Sequence, residues 1–70
     1  MNIADAIMLN RKRNKMTQTE FAAKVGSNRA TVSFWENGTR YPNVVQLGSI
    51  ALLFGWDDKL LGEVIRAVAV

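Results

Sequence analysis

The chain has 70 residues, a net charge of +3, and neither cysteine nor histidine. That length predicts one small domain over residues 1–70 with a limited core. Disulfides and thiolate metal sites are excluded, and the commonest zinc ligand and acid–base catalyst is missing, so no metal and no cofactor are expected.

In chain order the pattern predicts five short helices. The opening "MNIADAIMLN" lacks a basic-then-apolar secretory pattern. It predicts a first helix from Ile3 to Arg13 with Ile3, Ile7 and Met8 inward, ending in the basic run "RKRNK". The second helix begins at "TQTE". There Thr17 can accept from the amide three residues on while Glu20 reaches back to the Thr17 amide. Phe21, Ala22 and Val25 form its buried stripe, and Gly26 falls where a left-handed end is expected. Ser27 is the expected cap of a third helix that runs to Asn37 and stops at Gly38. Pro42 then Asn43 reads as a stop and a new cap. The fourth helix presents Val44, Leu47, Ile50, Ala51 and Phe54 at 3–4 spacing and ends at Gly55. Asp57 or Asp58 opens the fifth, with Leu60, Leu61, Val64, Ile65 and Val68 apolar. The apolar run from Val44 to Trp56 is broken by Gln46 and Ser49 and is too short to span a bilayer. No segment alternates as a strand does, so the expectation is a compact all-α, five-helix bundle in a cytoplasmic setting.

The charge is unevenly placed. Residues 11–40 carry Arg11, Lys12, Arg13, Lys15, Lys24, Arg29 and Arg40 against Glu20 and Glu36, a balance of +5. The rest has Lys59 and Arg66 against Asp5, Asp57, Asp58 and Glu63, a balance of −2. A continuous basic segment is what a polyanion-binding surface needs, although an ordinary solvated face would also contain one.

The stretch "VSFWENG" places two large aromatics side by side. With Val32 at zero on a helical wheel, Trp35 lies about 60° and Asn28 about 40° to one side, and Glu36 about 40° to the other. That is the inward face. Ala30, Ser33, Phe34 and Asn37 cluster opposite, with Arg29 and Thr31 on the flanks. Trp35 is therefore expected in the core and Phe34 outside. An outward Phe among small and polar residues suits a major groove, where an apolar ring can meet a thymine methyl and Arg can pair with guanine. The plainer alternative is that Phe34 packs on the loop around Tyr41 or lies exposed.

The ordered run "TQTEFAAKVGSNRATVSFWENGTRYPNVVQLGSIA" resembles the helix-turn-helix of the lambda-repressor-like, Cro and phage-repressor class, the XRE family. The matching features are Thr-Gln opening the second helix, small Ala on it and Gly in the turn. Apolar Val32 and Trp35, then Glu-Asn-Gly and a Pro before the fourth helix, complete the pattern. The resemblance covers roughly residues 3–61. It implies that Gln18 grips a phosphate and braces the third helix, with the dipole of the second helix favouring an anion there. It places Asn28, Arg29, Ala30 and Phe34 where relatives touch bases, with Ser33 and Thr31 adjacent and able to reach bases or phosphate. Asn37, Thr39 and Arg40 match the loop that follows the phosphate backbone. Arg11 and Glu36 correspond to a pair that forms a salt bridge in many relatives, and such a bridge is expected here. Two departures stand out. Asn10 occupies the usual place of a core Leu, with Leu9 beside it, which implies a rotated first helix or one extra residue in the following loop. Arg29 and Ala30 replace the Gln common at the first reading positions, changing the preferred bases.

The resemblance implies a sequence-specific, nucleoid-associated regulator of transcription that binds double-stranded DNA. The expected form is a homodimeric repressor of phage, plasmid or autoregulatory type on a palindromic operator. Leu61, Val64, Ile65 and Val68 are expected to include an isologous dimer contact, unless that helix only closes the monomer core. Two other readings stay open: an antitoxin-like DNA-binding protein that also engages a protein partner through an apolar C-terminal surface, and a pure protein-interaction module. A membrane-surface role is not expected, because the fifth helix has few cations. Nor is an enzyme: Asp57 and Asp58 are explained by helix capping, and no nucleophile–base pair or glycine-rich phosphate loop is visible.

Overall fold

A computed structural model of the chain describes residues 2–56. Those residues form four helices and no strand: α1 (Ile3–Arg13), α2 (Gln18–Lys24), α3 (Arg29–Glu36) and α4 (Val44–Phe54). The fifth helix, and with it Leu61, Val64, Ile65 and Val68, lies outside the described residues.

Each helix begins on a side-chain cap. Asn2 accepts from the Asp5 amide at 2.8 Å to start α1. Thr17 and Glu20 form the reciprocal box at α2, with bonds of 3.1 and 2.9 Å. Hydrogen bonding by the Thr17 amide, and next by its side chain, lowers the Glu20 carboxyl below its ordinary range. Asn43 and Gln46 build a second such box at α4, both bonds 2.8 Å, a pairing the sequence reading missed because it took Asn43 alone. The cap of α3 is Asn28, not Ser27: its Oδ1 accepts from the Thr31 amide at 2.9 Å. Ser27 instead closes the turn that ends α2, its amide donating to the Ala22 carbonyl at 2.8 Å.

The helix ends are equally definite. Gly26, Gly38 and Gly55 all take positive φ, as does Lys15 at 56°. At Gly38 the stop is a complete Schellman motif. The Gly38 amide donates to the Trp35 carbonyl at 3.4 Å and the Thr39 amide to that of Phe34 at 3.0 Å.

The core gathers Ile3, Ala6 and Ile7 of α1, Phe21, Ala22 and Val25 at α2, Val32 and Trp35 of α3, and Leu47 and Ile50 of α4. Trp35 is 1% exposed and meets the Phe21 ring edge-on at 6.5 Å. Phe54 stacks on Phe21 at 5.3 Å with only 9° between the planes. Met8 is only half-buried, and Val44, expected inward, is 78% exposed. Asn10 completes the inward series of Ile3, Ala6 and Ile7, so α1 is not rotated. Its Nδ2 donates to the Ala6 carbonyl at 2.8 Å, while Leu9 is 41% exposed.

Candidate nucleic-acid interface

The interface begins with how α3 is held. Arg11, in the last turn of α1, meets the final residue of α3 through two parallel bonds: Nε to Glu36 Oε2 at 2.7 Å and Nη2 to Oε1 at 2.9 Å. The Arg11 Nη1 donates to the Met16 carbonyl at 2.8 Å, and Gln18 Nε2 reaches Glu36 Oε1 at 3.3 Å. Arg11 and Glu36 together thus tie the end of α1, the following loop, the start of α2 and the end of α3. The two side chains of the ion pair are only 11% and 6% exposed. A forked, largely desolvated pair fixes geometry in a way that an exposed one does not. Hydrogen bonding to Glu36 raises the Arg11 pKa against an opposing effect of burial.

Gln18 therefore braces α3 through Glu36. The capping box engages the Thr17 and Glu20 amides and leaves those of Gln18 and Thr19 without a protein acceptor among the described residues.

The opposite face of α3 has few internal ties. Asn28, Arg29 and Ala30 are exposed, and Thr31, Ser33 and Phe34 half-buried. Asn28 does not share the inward face that the wheel gave it. As the cap it has extended backbone, φ −133° and ψ 164°, so helical angles do not apply to it. Its Oδ1 is spent on the cap. Beyond α3, Asn37, Thr39 and Arg40 are all exposed, with Asn37 Oδ1 accepting from the Thr39 amide at 2.9 Å.

Phe34 follows the plainer of its two readings: it is half-buried and packs on the loop beside Tyr41, where the Arg40 guanidinium lies over its ring, 4.8 Å from the centroid. No sequence rule links two side chains six apart, because the contact depends on how the turn at Gly38 redirects the chain. Among the described residues no three or more His, Cys, Asp or Glu come together as metal ligands, and no helix is long and apolar enough to cross a membrane.

Two short helices, a connection of four residues (25–28), and a second helix clamped on one side and open on the other define a helix-turn-helix. A family model described as helix-turn-helix matches residues 7–56, and the chain belongs to that family, the lambda-repressor- and Cro-like XRE kind. Its members are DNA-binding regulators of transcription, and that is the kind of protein this chain is. No curated protein and no solved structure matches it.

Proposed function

We propose that this chain is a sequence-specific repressor, of phage, plasmid or autoregulatory type, that binds a palindromic operator as a dimer and acts in the cytoplasm on the nucleoid. The open face of α3 carries this reading. Arg29, Ala30 and Ser33 are available beside the loop of Asn37, Thr39 and Arg40, on a helix that the Glu36 network holds still. Arg29 and its neighbours read base edges, while Gln18, Thr31, Asn37, Thr39 and Arg40 contact phosphate. Phosphate contacts position the protein and base contacts specify the site. Small Ala30 and Ser33 let the helix backbone approach the groove closely. Two copies would set their reading helices about 34–36 Å apart, one turn of the duplex. The apolar sequence at Leu61, Val64, Ile65 and Val68 is the candidate contact between them, within a single domain spanning residues 1–70.

An unbiased selection from random duplexes tests this reading. Enrichment of one palindromic motif is expected. Failure to enrich any sequence would make the fold a protein-interaction module. An antitoxin-like role has one observation in its favour: Val45 and Leu52 on α4 are 79% and 87% exposed, which suits a protein partner. Co-purification of a distinct protein from the native host, with operator binding retained, would establish that role alongside DNA binding.

A further inference from the structure

We infer that Phe34 is a positioning residue, which holds Arg40 for the phosphate backbone instead of reading a base. The inference rests on the proposed DNA-binding reading and assigns Phe34 a different part in it. Three contacts converge on this one residue. The Thr39 and Arg40 amides both donate to the Phe34 carbonyl, at 3.0 and 3.3 Å. The Arg40 guanidinium lies over the Phe34 ring at 4.8 Å. Main chain and side chain of the loop are thus both referred to α3 through position 34.

The chemistry of the contact favours this role. A cation over an aromatic face is attracted by the ring quadrupole and uses no N–H donor in a hydrogen bond. Among the described residues no Arg40 side-chain N–H reaches a protein acceptor, so its fork remains available to a phosphate, which it fits bidentately. An arginine on a flexible loop otherwise loses rotamer freedom on binding. The stack removes part of that cost beforehand. A ring face occupied by a guanidinium is also less able to lie against a thymine methyl.

The test measures affinity for a selected duplex and for a scrambled one with the wild-type chain, Phe34→Leu, Phe34→Tyr, Arg40→Ala and the double variant Phe34→Leu/Arg40→Ala. Phe34→Leu is expected to weaken both duplexes alike, by about two- to tenfold, and Phe34→Tyr to restore binding. The double variant should bind no more weakly than Arg40→Ala. Replacing each thymine of the site by uracil should affect wild type and Phe34→Leu equally. In the free proteins, the ring-current displacement of the Arg40 side-chain resonances should be present in wild type and Phe34→Tyr and absent in Phe34→Leu. Because Arg40 is exposed, Arg40→Ala stays folded and keeps the comparison usable even if Phe34→Leu is destabilised. Additive losses in the double variant, or a loss confined to one thymine methyl, would overturn the inference while leaving the regulator intact. Absence of any DNA binding by the wild-type chain would remove both.

Discussion

Trp35 and Phe34 are adjacent in the chain, and α3 sends them to opposite environments. Trp35 and its other neighbour Glu36 are fixed several times over, by the Phe21 ring, by Arg11 and by Gln18. On the far side Arg29, Ala30 and Ser33 are held by the helix backbone, and Phe34 and Arg40 mainly by each other. One side of a single short helix thus carries stability and orientation, and the other is left open. Rigid support behind an open face is what lets so short a helix present side chains at defined positions. The comparison also separates mutations that unfold the domain from those that only change what it binds.

The largest effect belongs to the inner side. Trp35→Ala removes a ring that is 1% exposed and should cost about 3–5 kcal/mol, a large part of what so small a domain has. Chemical denaturation measures it, and a loss under about 1 kcal/mol would show that the indole is not central to the core. Arg11→Met comes next. It strands the part-buried Glu36 carboxylate on the Gln18 amide alone, at a cost of about 1–3 kcal/mol. The double variant Arg11→Met/Glu36→Leu should recover much of that stability, because two apolar groups can replace a buried pair at little cost. It should not recover operator affinity, since α3 loses its fixed angle. Recovery of both together would mean that the network stabilises without orienting.

On the outer side stability should hardly change. Arg29→Ala is expected to weaken the selected site by about 1–3 kcal/mol and to relax preference at one base position. Arg40→Ala should weaken all sequences alike and reduce the salt slope by about 1. Titrations of matched and mismatched duplexes at several salt concentrations distinguish the two. An Arg29→Ala variant with unchanged affinity and preference would move the reading face elsewhere.

The inner side was the more legible of the two in the sequence. Thr17 with Glu20, the glycines at 26, 38 and 55, and the inward phase of Val32 and Trp35 are local patterns with one physical solution each. Where two residues could serve equally, local reasoning slipped by one. Ser27 and Asn28 are both good caps, and the structure uses Ser27 to close α2 and Asn28 to open α3. Val44 has the right spacing for the core and is still exposed, because periodicity names a face without saying how far a neighbour extends to cover it. That Phe34 packs on the following loop was legible, but the stack of Arg40 on its ring was not. It spans a turn, and no helical or strand period connects its two ends.

The smallest expected effect tests whether the support behind α3 is itself free of strain. The end of α1, which delivers Arg11 to Glu36, closes with the same pair of bonds as the end of α3. The Lys15 amide donates to the Lys12 carbonyl at 3.0 Å and that of Met16 to the Arg11 carbonyl at 3.2 Å. At α3 the left-handed position is Gly38, whereas at α1 it is Lys15, with φ 56°. A side chain in that conformation costs roughly 1–2 kcal/mol, offset by about 0.5–1 kcal/mol of extra freedom that glycine has when unfolded. Lys15→Gly should therefore stabilise the domain by about 0.5–1 kcal/mol, raising Tm by about 2–8 °C. Gly38→Ala is the mirror experiment. A Cβ there meets nothing within 4 Å, so any loss comes from backbone strain alone and should be of similar size with opposite sign. An unchanged Tm in Lys15→Gly, beside a clear loss in Gly38→Ala, would mean that the lysine side chain compensates its own strained backbone.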